Sequence, residues 1–251
     1  MQAYGPGFAR VYNAKWSAFA KQVAPRIIAF YEETPIGREK RSVLDLCCGT
    51  GHLSVAFLER GYSLVGIDLS GSMIGYAEDN AAEYVKSESA RFVVADASDF
   101  KLDRKFGLVV STYDSLNHLE DEEALVHCFR CVRKVCCGYF VFDLNTRSGL
   151  RRWNNVTIDE SGEDALIITR GMFDGRSDKA WMQITGFVET SKGNYERFEE
   201  TVFNTVFKLD RVREALLEVG WKQVYFARIT DLGTPIDNPE TEGRVFVVAQ
   251  K

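Results

Sequence analysis

Between residues 42 and 143, five short apolar segments alternate with segments of helical periodicity. The apolar segments cover residues 43–46, 64–68, 92–95, 108–111 and 139–142. Short and almost wholly apolar runs separated by helices are typical of parallel strands that are covered on both faces. The pattern therefore predicts an α/β fold built around a largely parallel sheet.

The predicted strands share a second feature, which is a polar residue at or next to each carboxyl end. These residues are Asp45, Asp68, Asp96, Thr112 and Asp143. In an open parallel sheet, ligands bind in the crevice beyond the carboxyl ends of the strands. We therefore expect these side chains to line one edge of a single cleft.

The first 40 residues carry apolar side chains at intervals of three or four, which is a helical pattern. Pro25 interrupts the pattern and predicts two short helices, because proline removes a backbone donor inside a helix. We interpret residues 1–40 as a helical cap over the sheet or the cleft. Together with the alternating segment, this cap forms the first part of the main domain, residues 1–146.

The pattern changes over residues 147–207, where extended stretches are separated by turn-forming sequences. The stretches cover residues 165–173, 180–190 and 195–207. This region is predicted to form an antiparallel β meander inserted into the main domain. Helical periodicity then returns, and two further strands joined by a long hairpin complete the main domain over residues 208–251.

The composition and net charge of the chain disfavour two classes of binding partner, nucleic acids and anionic membranes. The chain has 251 residues, 45% of them hydrophobic, and 31 lysines and arginines against 36 acidic residues give a net charge of −5. An acidic chain without a basic cluster lacks the positive field that attracts nucleic acid or an anionic membrane. The sequence shows neither a signal-peptide pattern nor an apolar stretch long enough to cross a bilayer. We expect a cytoplasmic protein with reduced cysteines and no nucleic-acid or membrane partner.

A glycine-containing turn, Gly49-Thr50-Gly51, follows the first predicted strand and opens a helix. Glycine lets the backbone approach a ligand closely, and N–H groups at the start of a helix suit a phosphate or a carboxylate. A dinucleotide fingerprint has a third glycine where this chain has Ser54, and the Gly-Lys-Ser/Thr of a P-loop is absent. A dinucleotide and a nucleotide bound by a P-loop are therefore disfavoured as ligands, but neither is eliminated.

Acidic residues at the next two strand ends suit an adenosine group. Asp68 ends the second predicted strand, where a carboxylate accepts hydrogen bonds from both hydroxyls of a ribose. Asp96 and Ala97 follow the third, where a side-chain acceptor and a backbone N–H can hold an adenine. With Asp45, three acidic strand ends favour a cationic cofactor over a pyrophosphate.

The order of motifs resembles a known family. The segments DLCCGTG, GIDLS, VVADASDF, FGLVVSTYDSLNHL and GYFVFDLN occur in this order over about residues 40–146. This order is similar to that of the class I S-adenosylmethionine-dependent methyltransferases. The resemblance implies a Rossmann-like, seven-stranded mixed sheet with helices on both faces and an antiparallel last strand. The inserted β meander is additional to it.

The resemblance also implies which residues bind S-adenosylmethionine. They are Asp45, Cys47, Gly49, Thr50 and Gly51 for the methionine part, Asp68 with Leu69 and Met73 for the ribose, Asp96 and Ala97 for the adenine, Thr112 and Tyr113 beside the sulfonium, and Tyr12 from the cap. Cys47 departs from the pattern, because many members have glycine there. Tyr12 fits the place of an amino-terminal tyrosine that reaches the methyl donor in several relatives better than Tyr4 does.

Methyl transfer from a sulfonium is an in-line displacement that needs alignment and a dry site but no metal. A base is optional for an amine acceptor and more useful for a hydroxyl acceptor. The candidates for a catalytic role near the cleft are His118, Tyr113 and Asp114. We predict no metal site, because Cys128 and Cys131 lie one turn apart on an amphipathic helix and no distant ligand pair completes a tetrahedral set.

The sequence thus predicts a methyltransferase acting on a small molecule, with an amine acceptor preferred over a hydroxyl acceptor. The fourth strand is followed by Ser-Thr-Tyr-Asp and lacks the Asn/Asp-Pro-Pro-Tyr that the family links to nucleobase amines. The insertion resembles in placement the extra sheet of small-molecule N-methyltransferases, and its aromatic residues fit either its own core or a homodimer contact. The alternatives are an NAD(P)-dependent oxidoreductase and a non-catalytic binding module on the same fold.

Overall fold

The computed structural model describes residues 4–159, 165–191 and 193–251. Residues 1–3 and 160–164 and Lys192, which belong to the predicted cap and insertion, lie outside the described residues. The strands are β1 (Ser42–Leu46), β2 (Ser63–Asp68), β3 (Ala90–Val94), β4 (Phe106–Ser111), β5 (Cys136–Asn145), β6 (Val156–Asp159), β7 (Ala165–Met172), β8 (Lys179–Ser191), β9 (Asn194–Thr205), β10 (Gln223–Ala227) and β11 (Arg244–Gln250). The helices are α1 (Pro6–Lys15), α2 (Ala18–Glu33), α3 (Pro35–Glu39), α4 (His52–Glu59), α5 (Gly71–Asn80), α6 (Ala82–Lys86), α7 (Glu122–Val135), α8 (Arg147–Leu150) and α9 (Leu209–Val219).

The main sheet has seven strands in the order β10-β11-β5-β4-β1-β2-β3. Strands β1 to β5 pair in parallel, whereas β11 is antiparallel to both β5 and β10. This topology confirms the predicted mixed sheet with its antiparallel last strand. All five parallel strands direct their carboxyl ends to the same edge, which is where an open α/β sheet binds its ligands.

Helices cover both faces of this sheet because its central strands are apolar on both sides. Leu44 of β1 packs in a core with Phe129 of α7 and Leu216 of α9. Its neighbour Val43 points to the opposite face, into a core that includes Ile27 of α2. The alternation of side chains along one strand therefore accounts for two separate apolar layers.

The predicted break in the cap at Pro25 is wrong. The chain leaves the helical path at Trp16 and Ser17, between α1 and α2, and α2 then continues through Pro25. Pro25 and Lys21 are both exposed. In a regular helix the N–H of residue 25 would donate to the Lys21 carbonyl, but proline has no N–H, so that carbonyl has no donor within the helix. Because water can reach that carbonyl, the helix tolerates the proline.

The insertion forms a second sheet with four antiparallel strands in the order β6-β7-β8-β9. Strands β7, β8 and β9 confirm the predicted meander, and β6 is an additional strand of four residues that the predicted stretches did not include. One face of the sheet joins an apolar cluster with α1, in which Phe8 and Val11 meet Ile167 and Ile184. The cap therefore links the insertion to the main domain. The treatment of residues 147–207 as a separate subdomain stays a prediction.

No helix among the described residues is long and apolar enough to cross a membrane. Within the same ranges, no group of three or more histidine, cysteine, aspartate or glutamate side chains is arranged to hold a metal ion.

Candidate active site

The turn after β1 is built from left-handed backbone. Cys47, Gly49 and Gly51 have φ angles of 60°, 53° and 78°. A Cβ on Gly51 would lie 3.0 Å from the Cβ of Ala77, so glycine is required there for space as well as for conformation. The φ angle at Cys47 explains why glycine is common at this position in the family, since other residues pay a steric cost for it.

Asp68 joins this turn to the end of β2. Its Oδ2 accepts a hydrogen bond from the Gly49 N–H at 2.8 Å, and its Oδ1 accepts one from the Ser70 N–H at 2.9 Å. Burial raises the pKa of Asp68, and the two N–H donors oppose that rise. The structure thus brings the glycine turn and Asp68 together, although 19 residues separate Gly49 from Asp68 in the sequence.

Asp45 lies behind the turn and is buried. Its Oδ2 accepts a hydrogen bond of 2.6 Å from the hydroxyl of Ser54 in α4. Burial raises the pKa of Asp45 to about 7, while the Ser54 hydrogen bond acts in the opposite direction. The serine that stands in place of a third glycine therefore braces the carboxylate at the base of the turn.

The residues predicted for the adenosine end lie around the next strand ends. Strand β3 ends at Val94, and Asp96 follows in a loop where its Oδ1 accepts hydrogen bonds from the Ser98 N–H and hydroxyl. Ala97 is buried in the same loop. After β2, Leu69 is 50% exposed, whereas Met73 is buried within the apolar cluster of α1. Leu69 and Asp96 are thus accessible to a ligand, whereas Met73 supports the site from within the apolar cluster.

Two aromatic residues of the cap, Tyr12 and Phe19, approach this edge. The Tyr12 ring lies over the turn, 3.4 Å from where a Cβ on Gly49 would be, and its centroid is 6.2 Å from that of Tyr113. Phe19 stacks on Tyr113 with centroids 4.7 Å apart. Burial raises the pKa of Tyr113, which keeps its phenol protonated. The Tyr12 ring thus lies against the glycine turn and next to the ring of Tyr113, which follows the end of β4 after Thr112.

Both ring nitrogens of His118 contact polar atoms of other residues. Its Nδ1 lies 2.7 Å from the carbonyl oxygen of Phe203, and its Nε2 lies 3.4 Å from the Tyr4 hydroxyl. A carbonyl only accepts, so Nδ1 carries a proton and the neutral ring keeps its lone pair on Nε2. The Tyr4 carbonyl in turn accepts a hydrogen bond of 2.8 Å from the Ser70 hydroxyl. Tyr4, which the sequence ranked below Tyr12, therefore connects His118 with the end of β2.

Asp114, the third catalytic candidate, is engaged in an ion pair. Its Oδ1 lies 2.6 Å from a guanidinium nitrogen of Arg244, which also pairs with Asp143. A carboxylate neutralised in this way is a poor proton acceptor. Arg244 has no local signal in the sequence, because it is the first residue of β11 and reaches this edge only through the reversed direction of that strand.

The site fits an adenosyl cofactor with a methionine part. The buried hydroxyl of Thr50 has no hydrogen-bond partner within the described part of the chain. That orphaned group lies in the turn whose left-handed glycines also offer the N–H groups at the start of α4 to a carboxylate. The Asp68 oxygens each have accepting capacity left beside one backbone bond, as two ribose hydroxyls require.

Comparisons with known proteins agree with this geometry. Residues 43–135 match a family model described as a methyltransferase domain. The chain is 28% identical over 217 residues to the putative methyltransferase YqeM of Bacillus subtilis, covering 85% of each protein. Its fold is similar to that of an S-adenosylmethionine-dependent methyltransferase from Clostridium acetobutylicum, with a TM-score of 0.79, 22% identity and 97% of each chain covered. It is also similar to the sugar N-methyltransferase KedS8 from Streptoalloteichus, with a TM-score of 0.73, 22% identity and coverage of 100% and 96%. On sequence and fold together, residues 43–135 match a methyltransferase domain and the whole chain resembles the class I S-adenosylmethionine-dependent methyltransferases.

Proposed function

We propose that this enzyme methylates an amine of a small molecule, with the cofactor held at the carboxyl edge of the main sheet. The observation that carries the proposal is the contact between Asp68 and the glycine turn, since each Asp68 oxygen accepts one backbone N–H and keeps capacity for a ribose hydroxyl. Asp45 braces the turn through Ser54. The same edge exposes Asp96 for the adenine amine.

The methionine part is assigned to the turn from Cys47 to Gly51. Its carboxylate would accept from N–H groups at the start of α4 and from the Thr50 hydroxyl, which has no partner within the described residues. Burial raises the pKa of the Cys47 thiol well above its ordinary value, so that residue contributes shape and no charge. Tyr12 and Tyr113 are assigned to the two sides of the sulfonium, where aromatic faces attract a cation and exclude water.

Bound S-adenosylmethionine supplies an electrophilic methyl group, and the acceptor nitrogen forms its new bond to that carbon as the carbon–sulfur bond breaks. Of the three catalytic candidates, His118 suits the removal of a proton from the acceptor. Its Nδ1–H is fixed on the Phe203 carbonyl, and Nε2 has a long contact of 3.4 Å to the Tyr4 hydroxyl. An acceptor amine can replace that weak contact. His118 then receives the proton at Nε2, and the phenols of Tyr113 and Tyr4 stay protonated because burial raises the pKa of each.

The preference for an amine rests on charge and on one comparison. Asp68 and Glu200, which lie outside the Arg244 ion pair, are close enough to the Tyr4 hydroxyl to raise its pKa further, which gives this end of the cleft a negative field. Such a field attracts a protonated amine from solution. The similarity in fold to a sugar N-methyltransferase supports a small amine, such as an amino sugar, as the acceptor class.

The experiment that tests the proposal is calorimetric titration followed by an acceptor screen. We expect S-adenosylmethionine and S-adenosylhomocysteine to bind with micromolar Kd and NAD not to bind. A screen of amino sugars and other small amines, read by formation of S-adenosylhomocysteine, should then give turnover, with matched hydroxyl compounds as the comparison. Binding of NAD alone would instead favour the oxidoreductase, and binding of none of these ligands would favour a non-catalytic module.

The homodimer predicted through the insertion is kept as part of this proposal. Val156, Ile158 and Trp181 are exposed by 60%, 58% and 42% and lie on the β strands of the insertion. The ladder register puts Ile158 opposite Ile168 and Trp181 opposite Met172, which is itself 41% exposed, on one sheet face. Apolar side chains exposed together are typical of an interface. Analytical ultracentrifugation of the wild type and of Trp181→Lys should show a dimer that the substitution weakens.

A further inference from the structure

Two adjacent residues after β4 have a backbone conformation that side chains disfavour. Tyr113 and Asp114 have φ angles of 68° and 50°, in the left-handed region. Neither residue is glycine, and Tyr113 is bulky, so the surrounding structure must hold them in place. Such strain is usual at functional sites, where it fixes a group in one orientation.

Asp143 of β5 supplies the group that holds this pair. Its Oδ1 accepts a hydrogen bond from the Tyr113 N–H at 2.6 Å, and its Oδ2 accepts one from the Asp114 N–H at 2.9 Å. The Asp143 side chain is completely buried. One carboxylate therefore binds two successive amides, as an anion does in a concave backbone nest.

Arg244 completes the arrangement from the other side. Its guanidinium pairs with Oδ2 of Asp143 and, at 2.6 Å, with Oδ1 of Asp114. Arg244 lies opposite Asn145 in the antiparallel ladder of β11 and β5, which brings the start of β11 to the cleft edge. The two carboxylates and the guanidinium form a unit that we call the Asp143–Arg244 clamp.

The clamp also contacts the aromatic rings at the cleft. The Arg244 guanidinium carbon lies 4.8 Å from the centroid of Phe19 and 5.8 Å from that of Tyr113. These two rings stack on each other at 4.7 Å. The clamp thus fixes Tyr113 twice, through its backbone N–H and through the ring against which Phe19 of the cap packs.

We infer that Asp143 and Arg244 are positioning residues, which hold Tyr113 beside the sulfonium and so raise the affinity for S-adenosylmethionine relative to that for S-adenosylhomocysteine. The inference rests on the proposed function, in which Tyr113 flanks the sulfonium. An aromatic face attracts a cation. The product keeps the adenosine and the amino acid part of the cofactor but has lost the positive charge. Displacement of Tyr113 therefore weakens binding of the cofactor more than binding of the product.

The test compares Kd values of both ligands for Asp143→Asn and Arg244→Lys by calorimetry. Asparagine offers one acceptor oxygen and places an NH2 group against a backbone donor, and lysine keeps the charge but loses the flat two-pronged guanidinium. In each variant we expect the ratio of product Kd to cofactor Kd to fall about fivefold, the worth of a cation–π contact. Arg228→Lys is the matched control, because Arg228 pairs with Glu242 on the surface and should leave the ratio unchanged.

A rescue series separates positioning from general loss of structure. Asp114→Gly and Asp114→Ala both remove the carboxylate that Arg244 binds, but only glycine adopts the left-handed conformation freely. Added to Asp143→Asn, the glycine should restore cofactor binding about tenfold relative to the alanine, which is the steric preference at one left-handed residue. Equal binding by the two double variants would contradict the role of Asp143 in holding this backbone.

The outcomes distinguish this inference from the function on which it rests. A wild type that binds neither ligand overturns both. A wild type that binds both, with variants in which the two Kd values rise by one common factor or stay constant, overturns the inference alone. Should Asp143→Asn not fold, the Kd ratio of Arg244→Lys decides, and a ratio equal to that of Arg228→Lys counts against the clamp.

Discussion

Replacement of Asp68 by alanine tests the assignment of the ribose. The carboxylate would accept hydrogen bonds from two ribose hydroxyls, and bonds to a charged group contribute about 1.5 to 3 kcal/mol. We expect the Kd of S-adenosylhomocysteine to rise roughly 10- to 150-fold, which is the same free energy expressed as affinity. The assay is calorimetric titration at constant ionic strength, with urea unfolding of the free protein alongside.

The structure predicts that stability changes much less than affinity in this variant. Asp68→Ala leaves the Gly49 and Ser70 N–H groups without their acceptor, but Asp68 is only half-buried, so water can replace it. Burial raises the pKa of Asp68, so removal of the charge also relieves a desolvation penalty. These opposing effects should leave the loss of stability at about 1 kcal/mol or less.

The matched control is Asp79→Ala, which removes an exposed carboxylate from α5. It should leave the Kd within about twofold, because a distant surface charge is screened by solvent and salt. A folded Asp68→Ala protein with the Kd of the wild type would refute the ribose assignment. An equal rise in Kd for both variants would show that net charge, and no specific contact, controls affinity.

Three further predictions concern the buried carboxylate, the turn and the base. Burial raises the pKa of Asp45 from 3.8 to about 7, so the folded protein loses stability relative to the unfolded chain as the pH rises from about 4 to 7. At 1.36 kcal/mol per pKa unit, Asp45→Asn should stabilise the free protein by about 4 kcal/mol at pH 8 and hardly at pH 4, and equal effects on urea unfolding at both pH values would contradict this. In thermal unfolding, Gly51→Ala should lower the Tm more than Gly61→Ala does. Both glycines have left-handed φ angles, of 78° and 77°, but only at Gly51 would a Cβ meet Ala77, at 3.0 Å. Equal decreases in Tm would show that the backbone conformation alone matters. His118→Asn, whose amide can still donate to the carbonyl, should lower the methylation rate of an amine about 100-fold with unchanged Kd for S-adenosylhomocysteine, and an unchanged rate would exclude His118 as the base.

The main sheet was predictable because each parallel strand is a short apolar run with a polar end. Asp68 and the glycine turn could be paired in advance, since the topology of a βαβ unit alone brings them to one edge. The cap shows the limit of local patterns. Pro25 disrupts helical periodicity in the sequence, but whether it breaks a helix depends on access of water to the Lys21 carbonyl, which only the packed structure reveals.

The remainder of the site depends on contacts with no local signal. The two Arg244 ion partners are 101 and 130 positions away, and the pairing requires the reversed direction of β11. Tyr4 ranked below Tyr12 in the sequence because a motif favours Tyr12, yet the hydroxyl of Tyr4 is the one that meets His118. Left-handed backbone at Tyr113 was likewise invisible, because no glycine marks it.

The reversed direction of β11 has a consequence for how this enzyme can be altered. The hairpin of residues 231–243 leads straight into Arg244, whose place is set by the ladder with Asn145 and by its two ion pairs, so changes in the hairpin reach the guanidinium through the start of β11. Grafting another loop in place of this hairpin would alter catalysis through residues that lie outside the glycine turn and the acceptor cleft. Directed evolution of that hairpin could therefore retune the reacting edge while every residue assigned to the cofactor is left untouched.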